Sequence, residues 1–193
     1  KRLTPFRNDP LTDINAEGIL IRNDRTGAVF SIMPDSYASG KYRVIHGIGY
    51  TVSERYGGVS SSATFFVDTR LPVKATLLEI TNNTNRSDEF SVYYFAETGI
   101  ARGCRSIKAR FNNNRLEAYS SFDDPNKAMF IAMPRQNVNY TTSAFEFFGA
   151  PGNNILPEAV KVKELSNTLG AASLLALQAH VTLEPGESKS VAA

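Results

Sequence analysis

The chain has 193 residues, 42% hydrophobic and 21% charged, enough for one well-buried core, and all-β sandwiches of this size commonly form a single domain. A net charge of only +2 speaks against a nucleic-acid binder, which normally carries a concentrated basic face. A lone cysteine, Cys104, excludes an internal disulfide and fits a reducing, cytoplasmic compartment, and no apolar run approaches the ~20 residues that span a bilayer.

Residues 1–17 are polar, with Pro5 and Pro10, and carry no apolar stretch of the signal-peptide kind. They read as an extended lead-in. Gly18–Arg22 and Ala28–Ile32 predict a hairpin around the Asn23–Gly27 turn. Met33 to Lys41 predicts a loop. Four strands then follow, over Tyr42–His46, Tyr50–Tyr56, Val59–Asp68 and Val73–Asn82, with a fifth over Phe90–Glu97. The fourth and fifth are apolar on both sides, so both are expected to be central and covered on two faces.

From Gly99 to Asn114 the chain reads as a long basic loop. Short strands are expected over Arg115–Tyr119 and Ala128–Ala132. Residues 134–157 read as irregular around the aromatics Phe145, Phe147 and Phe148. Pro157 to Gly170 suggests a short helix opened by proline. Alternation through Leu175, Leu177, Ala179, Val181 and Leu183 predicts a last strand, with Gln178, His180 and Thr182 on its polar side. Pro185-Gly186 suits a type II turn leading into a C-terminal hairpin that stops at Ala193. That stop suggests a boundary cut from a longer parent. No internal repeat is visible.

The tract YRVIHGIGYTVSERYGGVSSSATFFVD (residues 42–68) and the following LPVKATLLEITNNTNRSDEFSVYYFAE (71–97) resemble the N-terminal β-sandwich of glycoside hydrolase family 94. RNDPLTDINAEGILIRNDRTGAVFS (7–31) and ALQAHVTLEPGESKSV (176–191) are similar to the opening and close of that domain. Where the family often carries Trp near 97–98, this chain has Glu97-Thr98. The resemblance implies an all-β fold, an antiparallel β-supersandwich of galactose-mutarotase-like type, spanning 1–193 as one domain. It further implies that phosphorolysis belongs to a C-terminal (α/α) barrel of the parent. This chain would then be noncatalytic. It would pack on that barrel, support a homodimer, and lend a loop to a site for β-glucan oligosaccharide and phosphate. The parent would be an inverting glycoside phosphorylase or a cyclic β-1,2-glucan synthase. No cofactor is implied.

The basic tract is the leading binding candidate. Arg102, Arg105, Lys108 and Arg110 fall close together, and arginine forks suit sugar hydroxyls and phosphate; the plainer reading is a solvated loop. Cys104 between Arg102 and Arg105 has a setting that favours thiolate, but no histidine is near in sequence. His46 and His180 lack spaced metal-ligand partners. Either could pair with Glu97 as acid and base in a mutarotase-like aldose epimerase. A free-standing carbohydrate-binding module would need tyrosine platforms such as Tyr37, Tyr119 or Tyr140, as Trp is absent. Sequons at Asn82, Asn85 and Asn139 read as polar turns.

Overall fold

The computed structural model describes residues 17–34, 38–98, 107–120, 128–150 and 156–193. The first strands, β1 (Glu17–Asn23) and β2 (Val29–Ser31), form the expected hairpin. Asn23 closes it. Its Oδ1 accepts from the backbone N–H groups of Arg25 and Thr26, and Gly27 takes the left-handed φ of +71° that the turn requires.

Next come β3 (Lys41–Gly47), β4 (Tyr50–Tyr56), β5 (Val59–Val67) and β6 (Lys74–Asn82). They pair antiparallel in succession. β7 (Asp88–Glu97) is buried along nearly its whole length, as its two apolar faces predict. β6 is central as expected, yet only one of its faces is covered. Thr76, Leu78 and Ile80 are buried, while Leu77 and Glu79 face solvent. Apolar character on both sides of a strand did not mean cover on both sides.

The basic stretch is not wholly a loop. Residues 107–112 form β8 (Ile107–Asn112), paired with β9 (Arg115–Ser120), which pairs in turn with β10 (Ala128–Ala132). Asn113 and Asn114, at φ 50° and 59°, make the turn. Two successive positive φ values are the signature of a type I′ hairpin, and asparagine tolerates them best after glycine. Arg102, Cys104 and Arg105 lie outside the described residues, as do residues 1–16 of the lead-in, Tyr37 and the Asp123–Asn126 turn.

Residues 134–157 hold more order than expected. β11 (Val138–Thr141) precedes the helix α1 (Ala144–Phe148). Ser143 caps the helix by accepting from the Glu146 N–H, and Gly149 ends it at φ +82°. The Glu146 carboxylate accepts from Thr141 at 2.6 Å and from the Ser166 hydroxyl at 2.8 Å. The helix expected over 157–170 shrinks to one 3₁₀ turn at Glu158–Lys161.

The last strands are β12 (Leu174–Leu183) and β13 (Ser188–Ala192). The turn between them is as read: Gly186 has φ +75°, and the Glu187 N–H donates to the Glu184 carbonyl at 3.0 Å. The hairpin is not. β12 lies in a sheet ordered β11-β12-β7-β1-β2, whereas β13 pairs with β6 at the edge of the sheet β13-β6-β5-β4-β3. A tight turn sets the local backbone, not the sheet that the next strand joins. The third sheet is β10-β9-β8. Every pairing between named strands for which a register is given is antiparallel.

The described residues fall into two units: 17–19 with 93–179, and 20–92 with 180–193. In the first, Phe95 is fully buried and packs against Phe147 and Phe148, ring centroids 4.9 and 5.5 Å away. Gln178, expected on a polar face, is fully buried there. Its amide donates to the Tyr93 hydroxyl and the Lys163 carbonyl and accepts from the Leu165 N–H at 2.8 Å. In the second unit the core holds Leu20, Ile21, Phe30, Ile80, Phe90 and Val92. No described helix is long and apolar enough to cross a membrane.

Candidate functional site

Of the four predicted binding residues, the described structure places Lys108 and Arg110. Both lie on β8, two positions apart, and so on one face. The register sets Lys108 opposite Tyr119 and Arg110 opposite Glu117. The Arg110 guanidinium forms an ion pair with Glu117, as does Arg115, and Arg110 also lies 5.8 Å from the Tyr119 ring centroid. Two arginines therefore share one nearly buried carboxylate. The group keeps a net positive charge, increased by the exposed Lys108 beside it. An anionic or hydroxyl-rich ligand could use the arginine N–H groups that Glu117 does not take.

The proposed tyrosine platforms are partly engaged. Tyr140 stacks on Phe111 with centroids 4.2 Å apart and planes 21° apart. Tyr119 lies beneath Arg110. The exposed aromatics of the second unit are others: Tyr50, Tyr56 and Phe66.

Long-range pairing assembles a cluster that the sequence did not suggest. Asp24 in the β1–β2 turn, Ser91 on β7 and His180 on β12 meet in the second unit. Ser91 Oγ lies 2.9 Å from both Asp24 carboxylate oxygens and 3.2 Å from His180 Nδ1. His180 Nδ1 is 3.6 Å from Asp24 Oδ2, and Arg22 Nη1 is 3.2 Å from Asp24 Oδ1. His180 is thus half-buried among polar partners rather than simply facing solvent.

Residue types match a nucleophilic triad, but the geometry does not. A triad needs the histidine between serine and carboxylate, one ring nitrogen to each. Here the same Nδ1 faces both, and the serine hydroxyl is already spent on Asp24. Glu89, with Asp24 and His180, completes a group whose ligand atoms lie within 4.8 Å of one another. Arg22 on Asp24 would compete with any cation there. The arrangement reads as a polar clasp holding the turn to its neighbours.

Beside it, Asp88 is wholly buried and accepts from Arg25 Nε at 2.5 Å, Arg25 Nη2 at 2.8 Å and Asn23 Nδ2 at 3.0 Å. The Arg25 hydrogen bonds hold its carboxyl below the usual carboxylate range, Asn23 adding to them, against the opposing effect of burial. Asp68 is lowered too, by the backbone N–H groups of Leu71 and Arg70.

His46 is exposed on β3, with Nδ1 3.1 Å from Thr51 Oγ1. Glu97 ends β7 and is half-buried. The Asn82 side-chain nitrogen is committed to the Arg86 and Leu183 carbonyls, so that sequon cannot be an acceptor in the folded chain.

The family model that matches is described as the supersandwich domain of glycosyl hydrolase 94, and it covers residues 1–193. The chain is 28% identical to cyclic beta-(1,2)-glucan synthase NdvB of Rhizobium meliloti, across 98% of this chain and 7% of that protein. It is 29% identical to solabiose phosphorylase of Paenibacillus borealis, across 86% of this chain and 24% of that protein. The chain therefore spans a quarter or less of the curated relatives it matches.

Proposed function

The chain belongs to the glycosyl hydrolase 94 supersandwich family, and from that premise we propose that it is the noncatalytic accessory domain of a larger β-glucan-processing enzyme. The observation that carries this reading is a mismatch of coverage. The domain model takes in the whole chain, yet the chain answers to only 24% of solabiose phosphorylase. In this reading the bond-breaking groups reside elsewhere in the parent, in a helical barrel on which this domain packs, in a homodimeric enzyme of the cytoplasm. The substrates are a β-glucan oligosaccharide and phosphate, or the precursor of a cyclic β-1,2-glucan. Arg102, Arg105, Lys108 and Arg110 border the sugar and phosphate site. What supports that role is the net positive charge left where Arg110 and Arg115 share Glu117 beside Lys108.

The test has two arms. Purified chain incubated with β-glucooligosaccharides and phosphate should release no glucose 1-phosphate, and release would overturn the reading. In the parent enzyme, replacing the four basic residues singly by alanine should raise KM for phosphate or sugar while the melting temperature holds. Four unchanged KM values would remove the loop from the site.

A further inference from the structure

The outer face of the β13-β6-β5-β4-β3 sheet divides along its strands into an apolar end and a polar end. Register places Tyr50, Phe66 and Ala75 side by side across β4, β5 and β6, with Val52, Thr64 and Leu77 in the next row. Two further residues along, the rows turn polar: Glu54, Ser62 and Glu79 stand abreast. Tyr50 is 46% exposed, Phe66 44% and Leu77 50%, and Ile48 in the β3–β4 turn stands fully free. A contiguous apolar patch with a polar border is the usual mark of a contact surface.

The patch is rigid. The Tyr50 ring lies across the Gly47 backbone, where a Cβ would come within 2.2 Å of the ring. The patch also lies at one particular end of the sheet. Ala193 exchanges backbone hydrogen bonds with Thr76, at 2.9 and 2.7 Å, next to Leu77. Polypeptide continuing past Ala193 would leave from the apolar end.

We propose that this end of the face docks the remainder of the parent polypeptide, through an apolar surface seated on Tyr50, Phe66 and Leu77. The inference rests on the reading of the chain as an accessory domain, and it names the face that such a domain uses. Relatives several times the length of this chain supply a partner of sufficient size. A covalent tether holds that partner at an effective concentration on the order of millimolar, which favours it over a second copy.

Hydroxyl-radical footprinting of the intact parent, read by mass spectrometry, tests this with an internal standard. Tyr56 on the polar end of the same face is 49% exposed, matching Tyr50. Docking should make Tyr50 and Phe66 roughly tenfold less reactive than Tyr56, as expected for residues in a dry interface core. Equal labelling of Tyr50 and Tyr56 overturns the proposal. So does protection of Tyr50 that disappears when the parent is diluted to monomer, because the occupant is then a second copy. Either failure leaves the glucose 1-phosphate assay untouched, and release of that product by the isolated chain would sink the accessory-domain reading by itself.

Discussion

Phe95 presses its ring edge against Gly18 so closely that a Cβ at position 18 would lie 2.8 Å from it. Gly47 and Tyr50 are related in the same way, but the consequences differ. Phe95 is buried and held by Phe147 and Phe148, so its ring has nowhere to go. The Tyr50 ring has solvent beside it. Gly18→Ala should therefore cost about 2–3 kcal/mol by overpacking, and Gly47→Ala less than about 1 kcal/mol as the tyrosine swings outward. Denaturant unfolding of the two variants checks the contrast; equal costs would mean that the rings are equally free.

Acid should weaken the chain in a defined window. Asp88 has a folded-state pKa below its ordinary value. Its contribution is thus complete above the usual carboxylate range, about pH 4, and is lost as pH falls through the lowered value. Asp68 and Glu187, lowered by backbone N–H groups, add to the same trend. The melting temperature should be level near neutrality and decline below about pH 4. Asp88→Asn should make that decline shallower. An unchanged slope would show that the Arg25–Asp88 pair carries no linkage.

Gln178 satisfies three groups at once inside the first unit. Gln178→Leu keeps the volume and removes every partner, stranding a buried N–H and a carbonyl. The expected loss is about 3 kcal/mol, since each unsatisfied buried group costs about 1–3 kcal/mol. Thermal unfolding measures it, and a loss below that of an exposed substitution would show that the site relaxes or admits water.

Ser53 and Ser61 present the opposite case. Their hydroxyls are buried on β4 and β5 with no hydrogen-bond partner. Replacing either with alanine should be neutral or stabilising by up to about 1 kcal/mol, because an unmade hydrogen bond leaves only the desolvation penalty. A clear loss in either variant would reveal a partner for the hydroxyl.

β1 to β7 were legible: β5 from the period of two that a pleated strand imposes on the sequence, β6 and β7 from runs apolar on both sides, and the rest from short strand-forming runs between turn residues. β8 was legible in principle as well. Ile107, Ala109 and Phe111 alternate with Lys108, Arg110 and Asn112, and Asn113-Asn114 marks its turn. Its positive charges sit on the exposed face of the strand, a composition that a solvated loop shares. The Ser143–Glu146 spacing likewise announces the start of α1. The destination of β13 was hidden, because turn chemistry at Pro185-Gly186 is indifferent to the strand that receives the chain. The Asp24–Ser91–His180 clasp was hidden too. Its members are 67 and 89 residues apart and meet only because β1, β7 and β12 belong to one sheet.

β13 is the only strand of the described sheet that shields β6 on that side. A fragment ended at Pro185 would keep β12 and its share of the core, yet expose the backbone donors and acceptors of β6 as a bare ladder. Leu77 and Ala75 would stand beside that ladder on the open face. An unprotected edge of this kind recruits other chains into β-pairing. Residues 186–193 therefore guard that edge, and removing them should promote association of chains through β6.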